Sequence, residues 1–315
     1  MLQVLVPTAV SSFFTIEGLN EKGEPVVPLQ LAGARGGGFK LSSMTSTEAE
    51  MIEDDSDRVY FDGKMLQNTT THRVIQLIRE NFSIKGHFEV HHTVPIPWGS
   101  GFGTSASTAL GAAIAVLATS KVKCTLKQPS QIAHEAEIIS HTGLGTVGSL
   151  YSSAGAGGVI TRAGGPGICE LEPFLEDYSS MKLVAVTIRP RPKRPILTSR
   201  EHILAINRIG YSTLERVLKR PTAKDMLNES RRFAQLTGIM TEEVDTICGL
   251  MVKGGAIAAT QNMIGDAAHC IVKDSHADEL AKMLRKEYPS STITVSEFYE
   301  GGIRINIRQR KQNHG

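Results

Sequence analysis

The chain has 315 residues, of which 41% are hydrophobic and 21% charged, and a formal net charge of +2. This is ordinary for a soluble globular protein of one large or two modest domains. It excludes a bulk-charge case for nucleic acid or membrane, so any anion must be held by local clusters. Cysteines at 124, 169, 248 and 270 lack the CxxC spacing of a structural metal site and fit a reducing compartment. The N-terminus lacks the basic start and apolar run of a secretion signal, and the apolar stretch 106–118 is shorter than the roughly 20 residues that span a bilayer. A soluble cytoplasmic protein is expected.

In chain order, residues 2–6 and 12–16 read as two strands that could pair. Residues 20–28 read as a turn, and the Gly-rich 33–38 leads into a strand. Val74, Ile75, Leu77 and Ile78 predict a helix over 71–80. Residues 87–94 alternate as a strand, whose adjacent His91 and His92 must face opposite sides. A Pro- and Gly-rich loop, 95–105, then feeds an Ala-rich helix of about four turns. Another helix covers 130–140, and a second Gly-rich stretch spans 143–167. From about residue 180 the character changes: a strand at 182–188, a basic Pro-rich loop, and helices at 200–219, 223–236 and 241–252. A small-residue loop, a strand around 270–272, a helix at 275–287 and strands at 292–297 and 302–307 complete the chain, and the last eight residues should be frayed.

Gly99, Gly101 and Gly103 stand immediately before a helix. Glycine lets backbone approach a ligand, and a helix start offers unpaired N–H groups and partial positive charge. Together they predict a phosphate cradle, with hydroxyls from Thr104, Ser105 and Ser107 at the same end. A Walker loop is excluded because no Lys follows the glycines, and a dinucleotide loop because no acid lies between Gly103 and Glu135.

The segment PWGSGFGTSAS resembles the second signature of the GHMP kinases, P-x-x-x-G-[LF]-G-S-S-A-[AS]. Further motifs are similar to those of the archaeal pantoate kinase-like group: VPTAVSSFF at 6–14, GARGGG at 33–38, AHEAE at 133–137, TGLGTV at 142–147, GGPG at 164–167 and QNMIGDAAHCIV at 261–272. The resemblance implies an α+β, two-domain GHMP kinase fold. Residues 1–180 would be a ribosomal-protein-S5-like ATP-binding domain and 181–315 a ferredoxin-like domain, with the active site between them. It implies ATP and Mg²⁺ as cofactors. Pro97, Trp98, Gly99, Ser100, Gly101, Phe102, Gly103, Thr104, Ser105 and Ala106 would wrap the nucleotide, and Ser105 and Glu137 would hold the metal. Residue pattern alone does not separate Glu137 from Glu135. For Trp98, capping the core is expected over stacking on adenine.

Three departures bear on the acceptor. The usual Gly-His-Ile-Thr-Gly is Thr8-Ala9-Val10-Ser11-Ser12, in a segment that lines the acceptor site in relatives. The Asp of TGLGDV, a catalytic base in many relatives, is Thr146, with His141 a candidate substitute. Arg189, Arg191, Lys193 and Arg194 crowd a loop that is short and neutral in relatives, and Arg35 adds another cation. With Ser11, Ser12, Gly143 and Thr146, these five cations are the expected substrate-binding set. Ser105, Glu137, Thr146 and His141 are the expected catalytic set.

The departures together imply an acceptor more anionic than pantoate. The expectation is a phosphorylated or carboxylated hydroxy acid: mevalonate 3-phosphate, phosphorylated on its primary hydroxyl in archaeal isoprenoid synthesis. Pantoate, in coenzyme A synthesis, is the alternative. A catalytically dead nucleotide sensor is the non-enzymatic alternative. A nucleic-acid partner is not expected, since aromatics are only 5% and Trp98 is the sole tryptophan. A homodimer is left open.

Overall fold

The structure, a computed structural model, describes residues 2–153, 155–191 and 194–307. Strands β1 (Leu2–Phe14), β2 (Gly36–Ile52), β3 (Arg58–Phe61) and β4 (Lys64–Met65) precede helix α1 (Thr70–Phe82) and strand β5 (His87–Thr93). Helices α2 (Thr104–Thr119), α3 (Lys127–Ile139) and α4 (Thr146–Tyr151) follow, then β6 (Gly157–Arg162), β7 (Glu170–Pro173) and β8 (Met181–Arg189). Helices α5 (Arg194–Leu197), α6 (Arg200–Lys219), α7 (Ala223–Leu236) and α8 (Glu242–Lys253) lead to β9 (Ala258–Gln261) and β10 (Asp266–Lys273). Helix α9 (Asp274–Glu287) and strands β11 (Thr292–Ser296) and β12 (Arg304–Ile307) complete the order.

One sheet runs β12-β1-β2-β5-β3-β4, with β6 and β7 continuing from β2. The other runs β11-β8-β10-β9 and is antiparallel throughout. In order of appearance its strands lie 4-1-3-2, with helices between the first two and the last two. That is the βαββαβ ferredoxin-like arrangement, so the α+β expectation holds. Because β12 pairs antiparallel with β1, Ile307 opposite Leu2, the end of the second half returns to the first sheet.

Residues 2–14 are one strand, not the two pairing strands expected. No glycine or asparagine interrupts 7–11, and the whole segment pairs with β2, with register shifts at Pro7/Thr8 and Ser11/Phe13. The Gly-rich 143–167 also conceals regular structure, α4 and β6, which carry no periodic pattern of their own.

Helix α2 is almost wholly buried, which an Ala-rich sequence without charge permits. It lies between the β1–β2 face and helices α1 and α3, in one apolar core. A second core joins β1, β2, α6 and α7, with Phe13 and Phe14 both edge-on to Phe233. A third fills the space between β8–β10 and helices α8 and α9. Helices α6, α7 and α8 start at Ser199, Thr222 and Thr241, whose side chains accept a backbone N–H of the first turn. No helix among the described residues is long and apolar enough to cross a membrane.

Candidate active site

The loop before α2 folds as its glycines require. Gly99, Gly101 and Gly103 have φ of 71°, 80° and 62°. Gly103 is the N-cap of α2, and a Cβ there would stand 2.7 Å from Thr146 Cγ2 and 3.1 Å from the Ala9 carbonyl. Ala9 N–H donates to the Phe102 carbonyl at 3.1 Å, which ties the loop to β1. Trp98, Gly99, Gly101, Phe102, Gly103, Thr104 and Ser105 line a cleft with a volume of about 480 Å³. Its other wall comes from Phe61, Leu66, Thr70, Thr142, His141 and Arg191. Ser100 and Ala106 are wholly buried and do not line it, and the Ser107 hydroxyl turns away to Thr45 at 2.8 Å. Pro97 lines a shallow hollow that shares Phe61, Leu66 and Trp98 with this cleft. Trp98 is 45% exposed and edge-on to Phe61, so it belongs to the cleft's apolar end rather than to the core.

A second, smaller cavity, of about 110 Å³, lies on the other side of Thr146. Ala9, Val10 and Ser11 of β1, Gly36 to Lys40 of β2, Gly143 to Thr146, Ser149, Met263 and Ile264 line it. Among the described residues no acidic one does, and the charged ones are Arg35 and Lys40. Arg35 Nε lies 2.9 Å from Glu17 Oε1, and its guanidinium stands 5.5 Å from the Tyr211 ring centroid. Lys40 is 4% exposed and donates to the Ser152 and Gly301 carbonyls, each at 3.2 Å. It forms no ion pair among the described residues, and burial lowers its pKa, partly offset by Glu300. Ser12, expected here, is instead wholly buried, with its hydroxyl 3.0 Å from His269 Nε2. Alternation along β1 sends Ser11 and Ser12 to opposite faces.

Between the cavities lies Glu137, 1% exposed, whose Oε1 accepts the Thr142 hydroxyl at 2.7 Å. Its carboxylate fills the space where a Cβ on Gly143 would stand, with Oε2 2.0 Å from that point. Ser105 Oγ donates to the Thr142 carbonyl at 3.4 Å, so the two residues expected to hold the metal converge on Thr142. Glu135, the alternative left by the sequence pattern, accepts from Gln30, and burial raises its pKa. One carboxylate and one hydroxyl beside a phosphate loop suit Mg²⁺, which takes few protein oxygens and completes its shell with phosphates and water. His141, at φ 53° just past α3, lines the larger cleft and not the cavity beyond Thr146.

The basic loop does not line the smaller cavity either. Arg189 Nε and Arg191 Nη1 lie 2.9 and 3.5 Å from the Asp266 carboxylate. Arg189 also reaches Glu243 at 3.4 Å. The Arg191 N–H donates to the Gly99 carbonyl at 3.0 Å and Nη1 to the Ile239 carbonyl at 2.9 Å. This lays the loop across the phosphate loop and brings Arg191 to the larger cleft. Lys193 lies outside the described residues, as does the Arg194 side chain. Lys40, Phe61 and Met263 were not singled out by the sequence. For Lys40 the signal was a lone charge in the run 36–47, which opens β2.

A family model described as the GHMP kinases N terminal domain matches residues 69–153, which hold the phosphate loop, Ser105 and Glu137. The pantoate kinase of Thermococcus kodakarensis is 30% identical over 292 residues, covering 90% of this chain and 92% of that protein. The pantoate kinase of Methanocaldococcus jannaschii is 24% identical over 282 residues, covering 90% and 97%. A solved structure described as a phosphotransferase related to the CoA biosynthesis pathway superposes with a TM-score of 0.80 at 26% identity, over 97% of this chain and 98% of that one. A crystal structure of mevalonate kinase shares the fold, with a TM-score of 0.65 at 16% identity over 95% and 99%. By its glycine-rich loop before α2 and these relatives, the chain belongs to the GHMP kinase family, ATP-dependent phosphotransferases acting on a hydroxyl group.

Proposed function

We propose that this enzyme phosphorylates the primary hydroxyl of a small branched hydroxy acid, with pantoate the first candidate. The observation that carries the reading is the cavity beyond Thr146. It adjoins the glycine-rich loop at Gly103, has no acidic wall among the described residues, and includes Lys40, which is buried with no ion pair among them although Glu300 is near enough to offset part of its burial. A buried cation is costly unless an anion meets it, so an acid seated there is stabilised. Two curated relatives that cover most of this chain are pantoate kinases, which favours that acid.

In this reading ATP lies in the Trp98 cleft, with its phosphates against the Gly99–Gly103 backbone and the start of α2. Ser105 and Glu137 would hold Mg²⁺, which would supply neutralising charge at the phosphates. Arg191 adds a cation on the nucleotide side. The acceptor hydroxyl oxygen, at the Thr146 end of its cavity, bonds to the γ-phosphorus. The bond to the β,γ-bridging oxygen breaks, and ADP leaves. Thr146 cannot take the hydroxyl proton, and no carboxylate lines the cavity. The transition state of phosphoryl transfer is loose, so positioning and charge supply most of the catalysis and the proton departs late, to a phosphoryl oxygen or water.

Mevalonate 3-phosphate is the second reading. It is favoured by the cavity having two cations, Arg35 and Lys40, on different parts of β2 and the turn before it. Arg189 and Arg191 of the basic loop do not support it, because they are turned to Asp266. A coupled ADP assay with Mg²⁺ and pantoate, mevalonate or mevalonate 3-phosphate tests both. Turnover with pantoate supports the first reading, and turnover with the phosphorylated acid alone replaces it by the second. No turnover with any acid overturns both.

A further inference from the structure

Four polar residues from three distant parts of the chain form an unbroken hydrogen-bonded chain beneath the two cavities. Ser12 Oγ lies 3.0 Å from His269 Nε2, and His269 Nδ1 lies 2.9 Å from Asn262 Oδ1. Asn262 Nδ2 donates to the Ser100 carbonyl at 2.9 Å. All four residues are 0% exposed. The carbonyl end fixes the direction of every proton. Only the amide nitrogen of Asn262 can serve a carbonyl, so its oxygen accepts from His269 Nδ1–H. That leaves Nε2 to accept the hydroxyl hydrogen of Ser12. Burial keeps the imidazole neutral, with its pKa lowered to about 3, as this arrangement requires.

The carbonyl so held belongs to the Ser100–Gly101 peptide, which also packs closely against Gly265, where a Cβ would stand 2.8 Å from the Ser100 oxygen. On its far side the peptide is bounded by Gly101, at φ 80°. A glycine there lowers the steric barrier to a peptide flip, so the hydrogen bond to Asn262 adds to the packing in holding its orientation. In a trans peptide the carbonyl and the following N–H point in opposite directions. With the Ser100 oxygen directed at Asn262, the Gly101 N–H is directed away from Asn262, and Gly101 lines the nucleotide cleft. A flip would present a carbonyl oxygen to phosphate instead of a donor. The next-but-one carbonyl, of Phe102, is held in the same way by Ala9 N–H at 3.1 Å.

We propose that His269 is a positioning residue for phosphoryl transfer, holding Asn262 so that the Ser100–Gly101 peptide keeps its N–H toward the nucleotide phosphates. Ser12 sets the other side of the imidazole, so the strand that walls the acceptor cavity and the loop that cradles phosphate share one fixed reference. The inference rests on ATP occupying the Trp98 cleft and is independent of which acid is the acceptor.

The test is the affinity for Mg²⁺ and the non-hydrolysable β,γ-methylene analogue of ATP, measured by calorimetry, alongside KM for ATP and for the acceptor. His269→Leu should weaken nucleotide binding at least about tenfold, the scale of a buried group left unpaired, with the acceptor KM within about twofold. His269→Gln, whose amide supplies one donor and one acceptor, should restore affinity to within about threefold of wild type. Asn262→Asp keeps the shape and removes the donor to Ser100, so it should show the same loss where His269→Leu does not fold. Unchanged analogue affinity in Asn262→Asp would overturn the proposal. So would a His269→Gln variant as impaired as His269→Leu with both KM values raised alike, the mark of a purely structural role. Failure of the wild-type protein to bind the analogue would instead reject the nucleotide cleft itself.

Discussion

The methyl of Thr146 closes the space beside Gly103: a Cβ on Gly103 would stand 2.7 Å from Thr146 Cγ2. This contact stands between the cleft proposed for the nucleotide, which Gly103 lines, and the cavity proposed for the acceptor, which Thr146 lines. Gly103→Ala therefore has two faults, a side chain at φ 62° and a collision with Thr146. The left-handed conformation alone costs about 1–2 kcal/mol, and a displacement near 1 Å at the reacting atoms lowers turnover about 100-fold. The expected outcome is a folded protein, by circular dichroism, with kcat reduced to that degree. Retained kcat would mean that the loop is not held against α4.

Arg191 is tied to the phosphate loop by its backbone and opens onto the nucleotide cleft. Arg191→Ala should raise KM for ATP about tenfold, the value of one charge-assisted contact, and leave the acceptor KM within about twofold. Initial-rate kinetics with each substrate varied in turn decides it. A rise confined to the acceptor KM would restore the basic loop to the acceptor site.

Lys40 should show the opposite split. Lys40→Met keeps the length of the buried stem and removes the charge, and is expected to raise the acceptor KM by ten- to about 100-fold while ATP affinity is kept. Both KM values unchanged would place the acid elsewhere.

Two fully buried histidines make stability pH-dependent. His92 accepts or donates to Thr47 and Thr71, each at 2.9 Å, and burial, with His91 adding to it, lowers its pKa to about 3. His269 is lowered by burial to about 3 as well. Unfolded, each has a pKa of about 6.5. Between about pH 3 and 6.5 the unfolded chain binds more protons than the folded one, so stability rises with pH across that window and is full above it. Taking the protein from pH 7 to pH 5 should cost roughly 2 kcal/mol per histidine. Urea titrations at the two pH values measure the loss, and His92→Gln should remove roughly 2 kcal/mol of it, while His134, whose pKa burial also lowers, contributes to the remainder.

What could be read from the sequence was local. The loop at 95–105 announces itself because three glycines and the Ala-rich helix they cap are contiguous, and Glu137 with TGLG follows within one helix. The helices of the second half are legible from their periodicity and Ser or Thr caps. The direction taken by the basic loop was not legible, because it depends on the Gly99 carbonyl and on Asp266, which lies 75 residues from Arg191. The link from Ser12 to His269 spans 257 residues and carries no pattern at all. Lys40 was hidden differently: a strand lysine is ordinarily exposed, and only the carbonyls of Ser152 and Gly301 show that this one is buried.

The central claim is that the two cavities on either side of the Thr146–Gly103 contact hold ATP and a hydroxy acid for direct transfer. The measurement that tests it most directly is ³¹P NMR of a reaction with Mg²⁺, ATP and pantoate, with mevalonate 3-phosphate run in parallel. The account predicts that a new phosphomonoester resonance, coupled to the protons of a primary carbon of the acid, grows in step with ADP. ADP accompanied only by inorganic phosphate, with neither acid phosphorylated, would contradict it.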